Sequence, residues 1–146
     1  MPGRFIELTV TFSRVLQLIG GIIAMGLGLF LFFRILTKAL SVGQPIRPVT
    51  DFRVFMILAL PGLVIGIGSY LQILRRNEWG VIVVLMGSIG NVILVVLNVG
   101  LAYVLVQDPW GRNAIVADLV ITVITALIAI CNALLPNTAR PVNMAR

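Results

Sequence analysis

The stretch WGVIVVLMGSIGNVILVVLNVGLAYVLVQ, residues 79–107, contains no formal charge and decides the fold class. At about 1.5 Å of rise per residue, a helix of this length measures roughly 43 Å, whereas the hydrocarbon core of a bilayer is about 30 Å thick. The stretch is long enough and apolar enough to cross a membrane once. We therefore predict a transmembrane helix over residues 79–107, with Trp79 as an anchor in the interfacial aromatic belt.

Small and amide-bearing residues recur within this stretch at alternating steps of three and four. That spacing places them on one face of a helix, while Ile, Leu and Val fill most other positions. An amide turned towards lipid would leave its hydrogen bonds unmade, so this face is predicted to pack against protein. It comprises Gly80, Val84, Gly87, Asn91, Val95, Asn98 and Ala102.

The composition of the whole chain agrees with a polytopic membrane protein. Of its 146 residues, 60% are hydrophobic and only 11% are charged, whereas soluble domains contain about 25% charged residues. The mean hydropathy is +1.11. We predict an all-α membrane protein in which residues 1–146 form one domain.

Three further apolar segments predict transmembrane helices over residues 12–36, 51–74 and 113–135. We expect the first to be retained, because its apolar run is too long for a signal peptide and no clear cleavage site follows it. The four-residue turn 75–78 makes its flanking helices antiparallel neighbours. Residues 108–111, Asp-Pro-Trp-Gly, have the residues that a type I turn favours. The predicted architecture is an antiparallel bundle of four transmembrane helices, with Trp110 as the anchor opposite Trp79.

Gly62 and Gly66 form a GxxxG motif in the second predicted helix. This motif allows the backbones of two membrane helices to approach closely. Because the turn before the third helix is so short, we expect these glycines to face Gly87 and Asn91.

Asp118 is the one carboxylate within a predicted apolar segment, and it has two interpretations. It can bind a proton or cation, because charges within the membrane are costly and usually functional. The favoured alternative is structural: five residues after a predicted N-cap at Asn113, it would lie near the membrane edge, partly hydrated or paired. Asp118, Thr122 and Thr125 share one helical face.

Asn91 and Asn98 also have two interpretations. They can line a polar pathway, or they can form hydrogen bonds that bridge neighbouring helices, which is the more common role of such residues. Arg34, at the end of the first predicted helix, shares a leaflet with Asp118. We expect these two residues to form an ion pair that relieves the cost of each charge.

Several function classes are disfavoured by the residues available. The chain has no histidine and a single cysteine, Cys131, so imidazole-based catalysis, histidine-ligated metal centres and internal disulfides are excluded. No catalytic motif or phosphate-binding glycine loop is evident, and we expect no enzyme activity, no metal site and no cofactor. The net charge of +6 arises from basic residues at the ends of apolar runs. That placement is typical of membrane-flanking positions and argues against nucleic-acid binding.

Close-packing faces on every helix and the absence of catalytic groups favour a non-catalytic subunit of a larger membrane complex. Its expected partners are the lipid bilayer and other membrane subunits. One alternative is a small homo-oligomeric transporter or channel that uses Asp118, Asn91 and Asn98. Another is a membrane-embedded binder of quinone, lipid or pigment.

The distribution of basic residues favours both termini being cytoplasmic by six residues to five. The six are Arg4, Arg14, Arg75, Arg76, Arg140 and Arg146, and the five are Arg34, Lys38, Arg47, Arg53 and Arg112.

Overall fold

The computed structural model describes residues 2–41, 43, 48–98 and 107–135, and those residues form four α-helices and no strand. The helices are α1 (Pro2–Ser41), α2 (Pro48–Ile73), α3 (Trp79–Leu97) and α4 (Pro109–Leu134). Each is long and apolar enough to cross a membrane, with mean hydropathies of 2.1 to 2.6 over the best windows. The prediction of an all-α protein with four transmembrane helices is confirmed.

Between consecutive helices, later residues of one helix contact earlier residues of the other. Gly28 of α1 lies against Ala59 of α2, whereas the earlier Gly21 lies against the later Ser69. The same inversion relates α2 to α3 and α3 to α4. Both α1 and α3 pack against α2 and α4, while α2 and α4 lie diagonally and touch little. The bundle is therefore antiparallel.

Three differences from the predicted helix boundaries bear on the fold and the site. Helix α1 begins at Pro2, ten residues earlier than expected, because a proline is tolerated in the first turn and residues 4–11 contain neither proline nor glycine. Helix α3 ends at Leu97, where the backbone N–H of Asn98 donates to the carbonyl of Leu94. Its predicted continuation over residues 99–106 lies outside the described residues. Helix α4 begins at Pro109, so Asn113 lies inside it and Asp108 occupies the N-cap.

The expected packing of the GxxxG motif against α3 is wrong. A Cβ atom added at Gly62 would lie 2.5 Å from the carbonyl oxygen of Ala24, and Gly66 faces Met25, so both glycines contact α1. The face of α2 towards α3 instead contains Ile65, whose side chain contacts Gly87. Helix α2 lies between α1 and α3 and buries a face against each of them. A GxxxG motif indicates close packing but does not indicate which of the two helices packs against it.

Pairs of polar residues define the two ends of the bundle. Ser13 bonds to Asn132 near the end of α4, and Arg34 bonds to Asp108 immediately before α4 begins. The 21 residue-to-residue steps from Ser13 to Arg34 span roughly 32 Å, which matches a hydrocarbon core of about 30 Å. Trp79 and Trp110 begin antiparallel helices at opposite ends and are 68% and 70% exposed. We refer below to the Trp79 end and the Trp110 end.

Candidate functional site

A buried polar cluster joins α3 to α4 in the interior of the bundle. The Asn91 side-chain amide donates two hydrogen bonds of 2.9 Å, one to Asp118 Oδ2 and the other to Thr122 Oγ1. All three side chains are almost fully inaccessible to solvent. We call Asn91, Asp118 and Thr122 the carboxylate cluster. Asp118 and Thr122 lie one turn apart on α4, and the Asn91 amide on α3 faces both of them.

The depth of Asp118 differs from the favoured expectation. Asp118 is 2% exposed and lies nine residues after the first residue of α4, roughly 14 Å along the axis. The prediction of a partly hydrated carboxylate at the membrane edge is therefore wrong. The error came from starting α4 at Asn113 rather than at Pro109, which placed the carboxylate one turn too close to the surface.

Two oxygen atoms of the carboxylate cluster receive no hydrogen bond within the described ranges. They are Asn91 Oδ1 and Asp118 Oδ1, and both are buried. A buried acceptor without a donor is destabilising, and an uncompensated carboxylate within a membrane is more so. These atoms have the electron pairs to hold a proton or a small cation, which would relieve both penalties.

The predicted ion pair between Arg34 and Asp118 is wrong, because Arg34 pairs with Asp108. Arg34 Nε lies 2.6 Å from Asp108 Oδ2. Asp108 immediately precedes α4 at the level of Arg34, whereas Asp118 lies ten residues further along, roughly 15 Å deeper. The hydrogen bond from Arg34 lowers the pKa of Asp108, and the positive charges of Arg34 and Lys38 lower it further.

We expect the Arg34–Asp108 pair to be coupled in a double-mutant cycle of detergent stability, using Arg34→Met and Asp108→Asn. The cycle with Asp118→Asn should show additive losses, since Arg34 and Asp118 are far apart. The folded-state pKa of Asp108 is depressed, so its stabilising contribution is complete above the unfolded pKa, near 4, and is lost as the pH falls through the lower folded value. Coupling of Arg34 to Asp118 instead would contradict the structure.

A second polar network lies at the Trp79 end and was not predicted as a unit. Gln17 donates to Gln72 at 2.7 Å and accepts from Asn132 at 2.7 Å, so one side chain joins three helices. Gln72 also donates to the carbonyl of Ala129, and Ser13 donates to Asn132. We call Ser13, Gln17, Gln72 and Asn132 the amide network. The sequence carries a signal for part of it, since Gln17 and Asn132 each lie on a face of small residues in an apolar helix.

A cavity of about 460 Å³ opens beside the amide network at the Trp79 end. Gln72 and Asn132 belong to both the cavity wall and the network, so the network is in contact with this opening. Charged groups from α1 and the turn between α2 and α3 complete the wall. The lining residues are Arg14, Gln72, Ile73, Arg76, Asn77, Glu78, Val81, Asn132, Ala133 and Leu135.

The remaining predicted interior residues, Asn98, Thr125 and Gly87, lie outside the carboxylate cluster. Asn98 donates to the carbonyl of Leu94 in its own helix, so it does not join Asn91 in the interior. Thr125 is buried and packs on Gly20 of α1. Gly87 is buried against α2, as an interior residue of α3. In the described parts of the chain, no three acidic, cysteine or histidine residues group as a metal site would require.

Comparison with known proteins gives no match: no family model, curated protein or solved structure matches this chain.

Proposed function

We propose that this protein is a non-catalytic integral membrane subunit that packs within a larger membrane complex. The observation that carries the proposal is the length of α1. Its 40 residues measure roughly 60 Å, about twice the hydrocarbon thickness. The bundle uses only the part from Ser13 to Arg34 to cross that thickness, so the start of α1 extends beyond the described parts of its neighbours at the Trp79 end.

The projecting part of α1 is apolar on one side. Phe5, Leu8 and Phe12 follow a helical spacing of three and four, and each is more than 60% exposed. Arg4 and Glu7 occupy other positions of the same turns. An exposed apolar helix face of this kind is typical of a surface that binds another protein or a membrane. A neighbouring subunit that covers this face would stabilise both molecules by burying it.

Site-specific photo-crosslinking in native membranes tests the proposal. A photoreactive residue at Phe5 or Leu8 is expected to give adducts of discrete mass with a different polypeptide. Phe33 provides a matched control, because it is an exposed phenylalanine within the membrane-spanning part of α1 and is expected to give lipid adducts. The detergent-extracted protein should then migrate with other polypeptides. Lipid adducts alone at Phe5 and Leu8, with extraction as a small homo-oligomer, would contradict the proposal.

A second candidate function is a small homo-oligomeric cation transporter or channel. The unpartnered oxygens of Asn91 and Asp118 in the bundle interior support it, although Asn98 does not contribute.

For either function, we propose that both termini face the cytoplasm, because six basic residues lie on that side and five on the other. Protease access to tags at each terminus in sealed vesicles of known sidedness tests this orientation.

A further inference from the structure

Buried polar side chains continue from Asp118 towards the Trp79 end, beside a second buried hydrophobic cluster formed by Ala24, Ile65, Val84 and Ala129. Along α4 towards the Trp79 end, Thr122 follows Asp118 by one turn and Thr125 follows Thr122 by another. Both hydroxyl side chains are at most 1% exposed. The buried carboxyl is therefore continued by polar groups in this direction.

The polar series continues from Thr125 to the amide network. Thr125 packs on Gly20, and Gln17 lies one turn from Gly20 on α1, roughly 4.5 Å along the axis. Gln17 is fully buried and bonds to Gln72 and Asn132, which line the cavity at the Trp79 end. Polar side chains thus follow one another from the carboxylate cluster to an opening in the molecule.

Among the residues that the structure describes, apolar side chains lie between Asp118 and the Trp110 end. Ala114 and Ile115 lie between Asp108 and Asp118 on α4, and Val95 lies one turn beyond Asn91 on α3. These residues belong to a buried hydrophobic cluster with members from all four helices. The cluster comprises Leu31, Val54, Leu58, Val95, Ala114 and Ile115. A hydrated cation cannot pass such a cluster without losing its water, which is costly.

The charged groups on helices packed around Asp118 lie away from the carboxylate cluster. Helix α3 has no charged residue between its first and last positions. The basic groups between Asp118 and the Trp110 end lie at that end of the other helices or in the first turn of α4, and Asp108, ten residues before Asp118, is paired with Arg34. These basic groups are Arg34, Lys38, Arg53 and Arg112.

We propose that Asp118, with Asn91 and Thr122, is a binding site for a small monovalent cation, a proton or sodium, that is loaded from the Trp79 end only. The unpartnered Asn91 Oδ1 and Asp118 Oδ1 are the binding atoms. The polar series from Thr122 to the amide network provides access, and the hydrophobic cluster around Leu31 and Ile115 lies between the site and the Trp110 end. This site is independent of whether the protein is a complex subunit.

Cysteine accessibility in proteoliposomes tests the one-sided access. With the native Cys131 replaced by alanine, cysteine is introduced at Thr122 or Thr125, or at Ala114 as the apolar control. Arg76→Cys and Arg112→Cys report the two ends. Thr122 and Thr125 are at most 1% exposed at rest, so labelling at these positions reports transient opening of the polar series. A membrane-impermeant thiol reagent should label Thr122→Cys and Thr125→Cys from the side that labels Arg76→Cys, at rates more than an order of magnitude above that of Ala114→Cys. An absence of labelling from either side would contradict the access route. Labelling from the Arg112→Cys side, or equal rates from both sides, would overturn the proposal.

Infrared difference spectroscopy tests the cation itself on the unmodified chain. A carboxylic-acid C=O band should disappear as the pH rises, should be absent in Asp118→Asn, and should persist in Asp108→Asn. If sodium chloride removes the band at constant pH and choline chloride does not, sodium and the proton bind at the same site. A band that responds to pH alone assigns a proton site. A carboxyl signal from Asp118 that responds to neither pH nor sodium would overturn the proposal.

Discussion

Gly62→Ala is expected to destabilise the bundle by about 3 kcal/mol, since overpacking of this kind typically costs 1–3 kcal/mol and occasionally more. The new Cβ atom would lie 2.5 Å from the carbonyl oxygen of Ala24 and 3.4 Å from the Cα atom of Met25. Both atoms belong to the backbone of α1 and cannot rotate away. The two helices would have to separate over the whole contact. Equilibrium unfolding in mixed micelles measures the loss.

Two other glycines serve as matched controls. Gly26→Ala places its Cβ atom where no atom lies within 4 Å, so it should be neutral or stabilising by up to about 1 kcal/mol through helix propensity. Gly66→Ala, in the same GxxxG motif, meets the flexible side chain of Met25. It should therefore cost less than Gly62→Ala. Equal losses for Gly26→Ala and Gly62→Ala would show that α1 and α2 do not approach as closely as described.

Gln17→Leu is expected to cost about 2–3 kcal/mol, although leucine is similar in size and more apolar. The substitution removes the donor to Gln72 and the acceptor for Asn132, and it leaves their polar atoms short of partners in a buried region. Interhelical hydrogen bonds in membranes contribute about 0.5–2 kcal/mol each, and an unsatisfied buried group adds to the loss. Thermal unfolding in detergent measures it.

Asn98→Leu is the control for this second substitution. It removes an amide that bonds within its own helix, so the loss should stay below about 1 kcal/mol. The double variant Gln17→Leu with Asn132→Leu should lose less than the sum of its parts, because the second change removes a group that the first leaves unpaired. Strict additivity would mean that Gln17 and Asn132 do not interact.

The candidate site was only partly predictable. Asn91, Asp118 and Thr122 were each placed on an inward face, since helical periodicity is a local property that a single segment displays. Their mutual hydrogen bonds were not predicted, because those depend on the rotation and axial register of α3 against α4. The amide network was missed for the same reason, as Gln17, Gln72 and Asn132 belong to three different helices.

The sequence by itself determined the membrane class, the presence of four spanning helices and the positions of Trp79 and Trp110 at opposite ends. These follow from hydropathy, segment length and turn residues, which each stretch of chain specifies on its own. Only the tertiary structure decided that Gly62 meets α1, that Arg34 pairs with Asp108 and that Asp118 is deeply buried. The physical reason is that apolar faces of similar helices can slide and rotate against one another with little change in hydropathy. Close backbone contacts and paired polar groups, formed between helices, select one register among these.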